Sequence, residues 1–253
     1  MKINFNFLKH LDRTVNYECI VCKRRLRESK FMYISDSCGI CRSCVDELPF
    51  VPVGRLFDGT KNISYFLSVF YYVGIIPSLI ADYKFRGCKS YGNIFARFMN
   101  DLLLIYEEEY DFNLIVPVPL SKEHFEERGY NQSGILAELI SENTGVPCRC
   151  DAIVKIKNTR RQSDLMSYER ADNIKGAFSA DKEIVNGRRI LLIDDVVTTA
   201  STVNACAKEL KRCGAEAVFV LSVALSAYVT FVKFLVSLVK TKSELSSSAE
   251  LFI

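Results

Sequence analysis

The stretch Arg188 to Thr202, R-R-I-L-L-I-D-D-V-V-T-T-A-S-T, decides the fold. Ile190 to Ile193 are consecutive branched apolar residues, which leave no face for water and predict a buried strand of a parallel sheet. Asp194 and Asp195 then fall at the carboxyl end of that strand, where open α/β sheets bind ligands. Thr198 to Thr202 open the next helix, so backbone amides and hydroxyl donors there can cradle a phosphate against the positive end of the helix dipole. With carboxylates nearby for ribose hydroxyls, this order of parts suits a sugar phosphate. The competing reading is an ordinary strand, turn and helix with an acidic turn.

The same alternation extends outward from this stretch. Strands are predicted at Leu114 to Pro119, Ala152 to Ile156, Arg189 to Ile193 and Ala217 to Val223. Helices are predicted at Gln132 to Asn143, capped by Gly145, and at Ser201 to Cys213, capped by Gly214. Loops run to Tyr130 and to Lys175. Strands alternating with helices at this spacing predict an α/β fold, a mainly parallel twisted sheet flanked by helices. Upstream, Ser78 to Phe85 and Asn93 to Ile105 read as helices around the turn Arg86-Gly87-Cys88.

Composition narrows the class. A length of 253 residues suits one α/β domain plus a small module. The formal charge of +3, from 33 basic and 30 acidic side chains, announces neither nucleic acid nor anionic membrane globally. Ten cysteines invite a disulfide reading, but Met1 to Asn16 has no apolar signal core, so a reducing cytoplasm is expected and attention turns to metal. Cys19-x-x-Cys22 is followed by Cys38-x-x-Cys41-x-x-Cys44. Two such turns bring four thiolates within reach of one Zn²⁺, and so short a unit needs that clip to fold. Spacing alone allows either Cys38 with Cys41 or Cys41 with Cys44 as the second pair.

Two further loops carry chemistry. Pro117-Val118-Pro119-Leu120 leads into Glu127-Arg128-Gly129-Tyr130-Asn131-Gln132-Ser133, where rigid prolines fix a strand tip and Arg128 offers a planar fork to phosphate oxygens. Lys155 to Lys175 is basic, with Lys155, Lys157, Arg160, Arg161, Arg170 and Lys175 against Asp164, Glu169 and Asp172.

The acid pair followed by T-T-A-S-T resembles the phosphoribosyl pyrophosphate (PRPP) motif of type I phosphoribosyltransferases. P-V-P-L, R-G-Y-N-Q, T-R-R-Q, Y-E-R-A-D-N and D-Y-K-F-R-G (Asp82 to Gly87) are similar to segments of the ComF/GntX family, as is C-R-S-C-V-D-E-L-P at the end of its zinc knuckle. The resemblance implies Cys19, Cys22, Cys41 and Cys44 as the structural zinc ligands, with Cys38 a spare thiol. It implies a site in which Asp194, Asp195, Arg160 and Arg161 serve catalysis. Thr198, Thr199, Ala200, Ser201, Thr202, Pro119, Leu120 and Arg128 would bind PRPP with Mg²⁺. A loop over Lys155 to Lys175 would close on the ligand and exclude water. Ala200 stands where this motif usually has glycine and loses backbone angles that glycine takes cheaply. Thr198 stands where purine salvage members often carry an acid, which disfavours purine salvage. Lys84 and Arg86 of D-Y-K-F-R-G are read as a solvated helix end ahead of the alternative that they face a ligand.

The expected organisation is a zinc knuckle over residues 1–49, a helical and aromatic connecting region over 50–110, and a phosphoribosyltransferase-like domain over 111–225. A C-terminal amphipathic helix with a frayed tail follows over 226–253. That helix has a polar stripe of Ser226, Thr230, Lys233, Ser237 and Lys240, so packing or homodimerisation is expected ahead of membrane contact. Two functions follow from the resemblance. One is a phosphoribosyltransferase (a pentosyl-transferring glycosyltransferase) linked to competence and DNA uptake. The other is a non-catalytic assembly or single-stranded DNA-binding protein that senses PRPP or phosphate.

Overall fold

The computed structural model describes residues 16–35, 38–52, 61–106, 111–157, 174 and 176–226. The chain divides into two compact units, residues 1–48 and 49–253.

The first unit contains strands β1 (Asn16–Cys19), β2 (Arg25–Arg27), β3 (Phe31–Ser35) and β4 (Cys38–Cys41), then a short helix, α1 (Arg42–Val45). The sheet order is β2-β1-β4-β3, with β1 antiparallel to β2 and parallel to β4. The chain reverses after β1 through Lys23, which adopts a left-handed φ of 60°. Gly39 lies so close to its neighbours that a Cβ would sit 2.5 Å from the Tyr33 carbonyl and 2.6 Å from the Phe31 ring. Cys19, Ile20, Phe31, Ile40 and Cys41 are buried.

The second unit runs β5 (Tyr65–Tyr71), α2 (Ile76–Phe85), α3 (Ser90–Ile105), β6 (Leu114–Pro117), α4 (Lys122–Arg128), α5 (Gln132–Thr144), β7 (Ile153–Lys155) and β8 (Phe178–Ala180). It continues with α6 (Lys182–Val185), β9 (Arg189–Val197), α7 (Ser201–Arg212) and β10 (Ala217–Leu225). Its four-stranded sheet has the order β5-β10-β9-β6, and every pairing within it is parallel. Ile190 to Ile193 are each 0% exposed, the double-sided burial that their run of apolar side chains demands. Ile190, Leu192, Val218 and Val220 share an apolar core with Val203, Cys206 and Leu210 of α7.

Four local features differ from the sequence reading. Strand β9 continues through both aspartates to Val197, because β10 pairs with it as far as Leu225↔Val197. Strand β7 is not in the parallel sheet: it pairs antiparallel with β8, Ile153↔Ala180 to Lys155↔Phe178. A strand of three residues with Val154 47% exposed builds a ribbon beside the sheet rather than its interior. The loop before Tyr130 contains α4, whose K-E-H-F-E-E-R sequence has no apolar stripe. Its ends are set locally: the Ser121 hydroxyl accepts from the His124 amide, and Gly129 closes it at a left-handed φ of 74°.

The fourth difference concerns the stretch read as a connector. Tyr65–Tyr71 is an edge strand of the main sheet, in register with β10 from Phe219↔Tyr65 to Leu225↔Tyr71. Phe66, Leu67, Val69 and Phe70 are buried, and α2 and α3 belong to the same unit. The C-terminal helix expected from Ser226 falls on residues 227–253, outside the described residues. Among the described residues no helix is long and apolar enough to cross a membrane.

Phe70 distinguishes a core strand from a connector. It is 1% exposed, and its ring centre lies 5.0 Å from that of Phe50 and 5.2 Å from that of Phe98. Phe70→Ala is expected to cost about 3–5 kcal/mol in urea unfolding, whereas a connector side chain would cost within about 0.5 kcal/mol.

Candidate functional site

Strand β9 delivers the two carboxylates and α7 begins just beyond it. Asp194, Val196, Val197 and the loop Thr198 to Thr202 line a small open cavity together with Val203. The loop holds itself through a 3.0 Å hydrogen bond between the Thr199 and Ser201 hydroxyls. Ala200 occupies the N-cap of α7 at φ 59°, ψ 4°, without a side-chain cap. This is the left-handed region, which costs an L-residue with a Cβ about 1–2 kcal/mol. The loop therefore keeps the backbone path of a glycine loop while carrying an alanine.

The two acids have different surroundings. Asp194 is 8% exposed; its Oδ1 accepts from the Ser133 hydroxyl at 3.2 Å and from the Asp195 amide at 2.9 Å. Burial raises its carboxyl from the ordinary 3.8 to about 6, against the opposing pull of Lys84 and Ser133. Asp195 is 3% exposed; its Oδ1 accepts from the Val196 amide at 2.8 Å and its Oδ2 lies 2.5 Å from Lys84 Nζ. Burial lowers the Lys84 ammonium to about 8, with the Asp194 charge holding it up and Arg128 pushing it down.

Lys84 was read from the sequence as part of a solvated helix end, and the structure overturns that. Its side chain is only 18% exposed, whereas the Arg86 side chain is 74% exposed and pairs with Asp82 at 2.8 Å. The K-x-x-G pattern of D-Y-K-F-R-G was the available signal, but helix ends usually present lysine to water. Ser133, at the start of α5, is the other contact that sequence reading did not assign.

A buried network ties these segments together. The Tyr83 hydroxyl donates to the Gln132 carbonyl at 2.7 Å, and the Tyr130 hydroxyl donates to the Tyr83 carbonyl. Arg128 stacks over the Phe85 ring at 4.7 Å, and Lys89 lies 4.7 Å from the Tyr130 ring centre. Asn131 Nδ2 donates to the Val118 carbonyl at 3.1 Å, fixing the loop that holds half-buried Pro119 and Leu120. Pro119, Leu120 and Arg128 are not among the residues lining the Thr-loop cavity. Arg160 and Arg161 lie outside the described residues, in the basic segment that β7 and β8 bracket.

In the first unit, Cys19, Cys22, Cys41 and Cys44 place their sulfurs within 4.8 Å of one another. Thiolates around a tetrahedral metal at about 2.3 Å lie roughly 3.8 Å apart, and Cys22 Sγ to Cys41 Sγ is 3.9 Å. Cys38 is outside the cluster because it opens β4, opposite Glu18 and Ser35. Burial opposes ionisation of Cys22, but Arg24 Nε, 3.3 Å from its sulfur, prevails and holds the thiol at about 6.

The family model for the phosphoribosyl transferase domain matches residues 128–234. The chain is 29% identical over 224 residues to competence protein F of Haemophilus influenzae, covering 83% of this chain and 97% of that one. It is 31% identical over 207 residues to competence protein ComFC of Bacillus subtilis (79% and 80%) and 30% identical over 203 residues to the DNA utilization protein YhgH of Escherichia coli (79% and 86%). The second unit thus contains a phosphoribosyltransferase-like domain. The chain belongs to the competence protein F family, with ComFC and YhgH.

The strain at Ala200 gives a test. Ala200→Gly removes the left-handed penalty and improves the N-cap, against the entropy that glycine adds to the unfolded chain. A net gain of about 0.5–1 kcal/mol is expected in urea unfolding. Ala200→Val should move stability the other way.

Proposed function

We propose that the second unit binds PRPP or a related ribose phosphate in the cavity between Asp194 and the Thr198 to Thr202 loop, and that it does so in DNA uptake or utilisation within a reducing cytoplasm. The observation that supports this most is the meeting of Asp194 and the α7 N-terminal loop in one cavity, in a chain with a phosphoribosyl transferase domain. The loop amides and hydroxyls hold a phosphate at the helix start. Asp194 takes ribose hydroxyls with its second oxygen, Ser133 keeping the first engaged. Arg128, Arg160 and Arg161 supply positive charge toward a leaving pyrophosphate.

The residues present do not suit Mg²⁺ bound directly at the acid pair. Asp195 has one oxygen on the Val196 amide and the other on Lys84. Mg²⁺ in this reading is the counter-ion of the ligand's own phosphates, held by them rather than by the chain.

A second reading, a ligand-sensing assembly protein with no transfer step, is supported by Thr198, which stands in the loop and cannot exchange a proton at neutral pH. Both readings share the binding step. Calorimetric titration with Mg²⁺-PRPP should show one site in the wild type, weakened at least about tenfold in Asp194→Asn. Absence of wild-type binding would refute both readings. Release of pyrophosphate with an added acceptor would then select the transferase.

For the first unit we propose a structural zinc on Cys19, Cys22, Cys41 and Cys44, supported by the closeness of their sulfurs. Metal analysis of purified protein should give one zinc per chain in the wild type and in Cys38→Ser, and a loss in Cys44→Ser. Equal zinc in the two variants would refute the assignment.

A further inference from the structure

Lys84 is a feature of the site that the ribose phosphate reading leaves without a task. Adjacent carboxylates in a crevice ordinarily attract hard divalent cations, which bind through oxygen. Here Asp195 Oδ2 is held by Lys84 Nζ at 2.5 Å, Asp195 Oδ1 by the Val196 amide at 2.8 Å, and Asp194 Oδ1 by Ser133 and the Asp195 amide. A metal ion held by both carboxylates through Asp195 Oδ2 would have to evict the ammonium. The ammonium is not on a free arm. It projects from the last turn of α2, where the preceding residue, Tyr83, is 0% exposed and hydrogen-bonded through both its hydroxyl and its carbonyl.

We propose that Lys84 is the built-in counter-ion of the acid pair and closes it to free divalent cations, so that a cation enters this site only with a phosphorylated ligand. The exclusion stands on the contacts of Lys84 and Asp195. The second half of the proposal rests on the ribose phosphate reading. Arg128, stacked on Phe85 one residue beyond Lys84, adds a second positive charge to the same neighbourhood and repels a bare cation further. A polyphosphate carries enough negative charge to bring its own cation past both. Loading would then be ordered: the metal arrives as part of the ligand and leaves with it. Lys84 acts here as a positioning residue, setting the charge that the ligand meets.

The experiment uses full-length, zinc-replete protein and Mn²⁺ as the probe, followed by electron paramagnetic resonance and calorimetry without nucleotide or PRPP. Wild type should bind no Mn²⁺ at the acid pair. Lys84→Met should gain one site, roughly tenfold or more tighter than any wild-type binding, from loss of the opposing charge. Lys84→Arg should retain the exclusion, and Lys84→Met/Asp195→Asn should lose the gained site. A wild-type site that disappears in Asp195→Asn would overturn the proposal, as would a folded Lys84→Met that binds Mn²⁺ no better than wild type. If Lys84→Met does not fold, the comparison of wild type with Asp195→Asn still decides the exclusion. Adding PRPP should then carry Mn²⁺ into the wild type. Failure of that uptake would count against the ribose phosphate reading, because the exclusion is read without PRPP.

Discussion

Two adjacent carboxylates within a strand buried on both faces must find partners, because an unpaired buried charge costs several kcal/mol. That requirement organises the second unit. The main-chain amides of Asp195 and Val196 supply part of the need, and Ser133 and Lys84 supply the rest. Ser133 comes from the start of α5 and Lys84 from the end of α2, so the acids of β9 fix the ends of two helices that reach them from elsewhere in the chain. Tyr83 then joins those helices to each other through Gln132, and Tyr130 closes the same knot. Breaking one partner of a buried pair typically costs about 3–5 kcal/mol. The acids are therefore structural groups, and the proposed ligand role is a second duty.

That double duty separates their roles. An acid pair used symmetrically on ribose hydroxyls needs oxygens free on both residues. Asp195 Oδ1 accepts from the Val196 amide and its Oδ2 is ion-paired with Lys84, whereas Asp194 lines the cavity and burial raises its carboxyl. The loop beyond carries its own tension. It keeps a left-handed turn at Ala200 that a glycine would occupy without cost, so part of the packing energy of β9 and α7 goes into holding the loop open. Strain of that kind persists only where the surrounding structure fixes it, and here it lies where the chain turns from sheet to helix.

What the sequence makes legible follows from how local each signal is. Ile190 to Ile193 announce a buried strand because burial on two faces leaves its mark on consecutive residues. Gly145 marks a helix end because a left-handed cap is a one-residue requirement. The cysteine spacings narrow the metal cluster to two alternatives, and what separates them is the ladder: Cys38 opens β4 opposite Ser35, which no spacing rule contains. Tyr65–Tyr71 was harder, since a strand rich in aromatics resembles an amphipathic connector until its pairing with β10 is known. Lys84 was hardest, because an ion pair between distant segments leaves no periodic trace, and the helix-end position of a lysine favours the wrong answer.

The arrangement also constrains what chemistry the second unit can perform. Transfer to a nucleobase calls for a group that manages a proton at the base, and Thr198 does not provide one. Lys84 does not replace it: its ammonium is committed to Asp195, and releasing a proton would leave two buried carboxylates facing a neutral amine. The pairing of Lys84 with Asp195 therefore argues against Lys84 passing protons to an acceptor. Under the proposed binding, an acceptor would have to arrive already nucleophilic, or the site would work by occupancy alone. Under the proposed binding, the ligand would meet acids that are joined through Ser133 and Lys84 to the ends of α5 and α2.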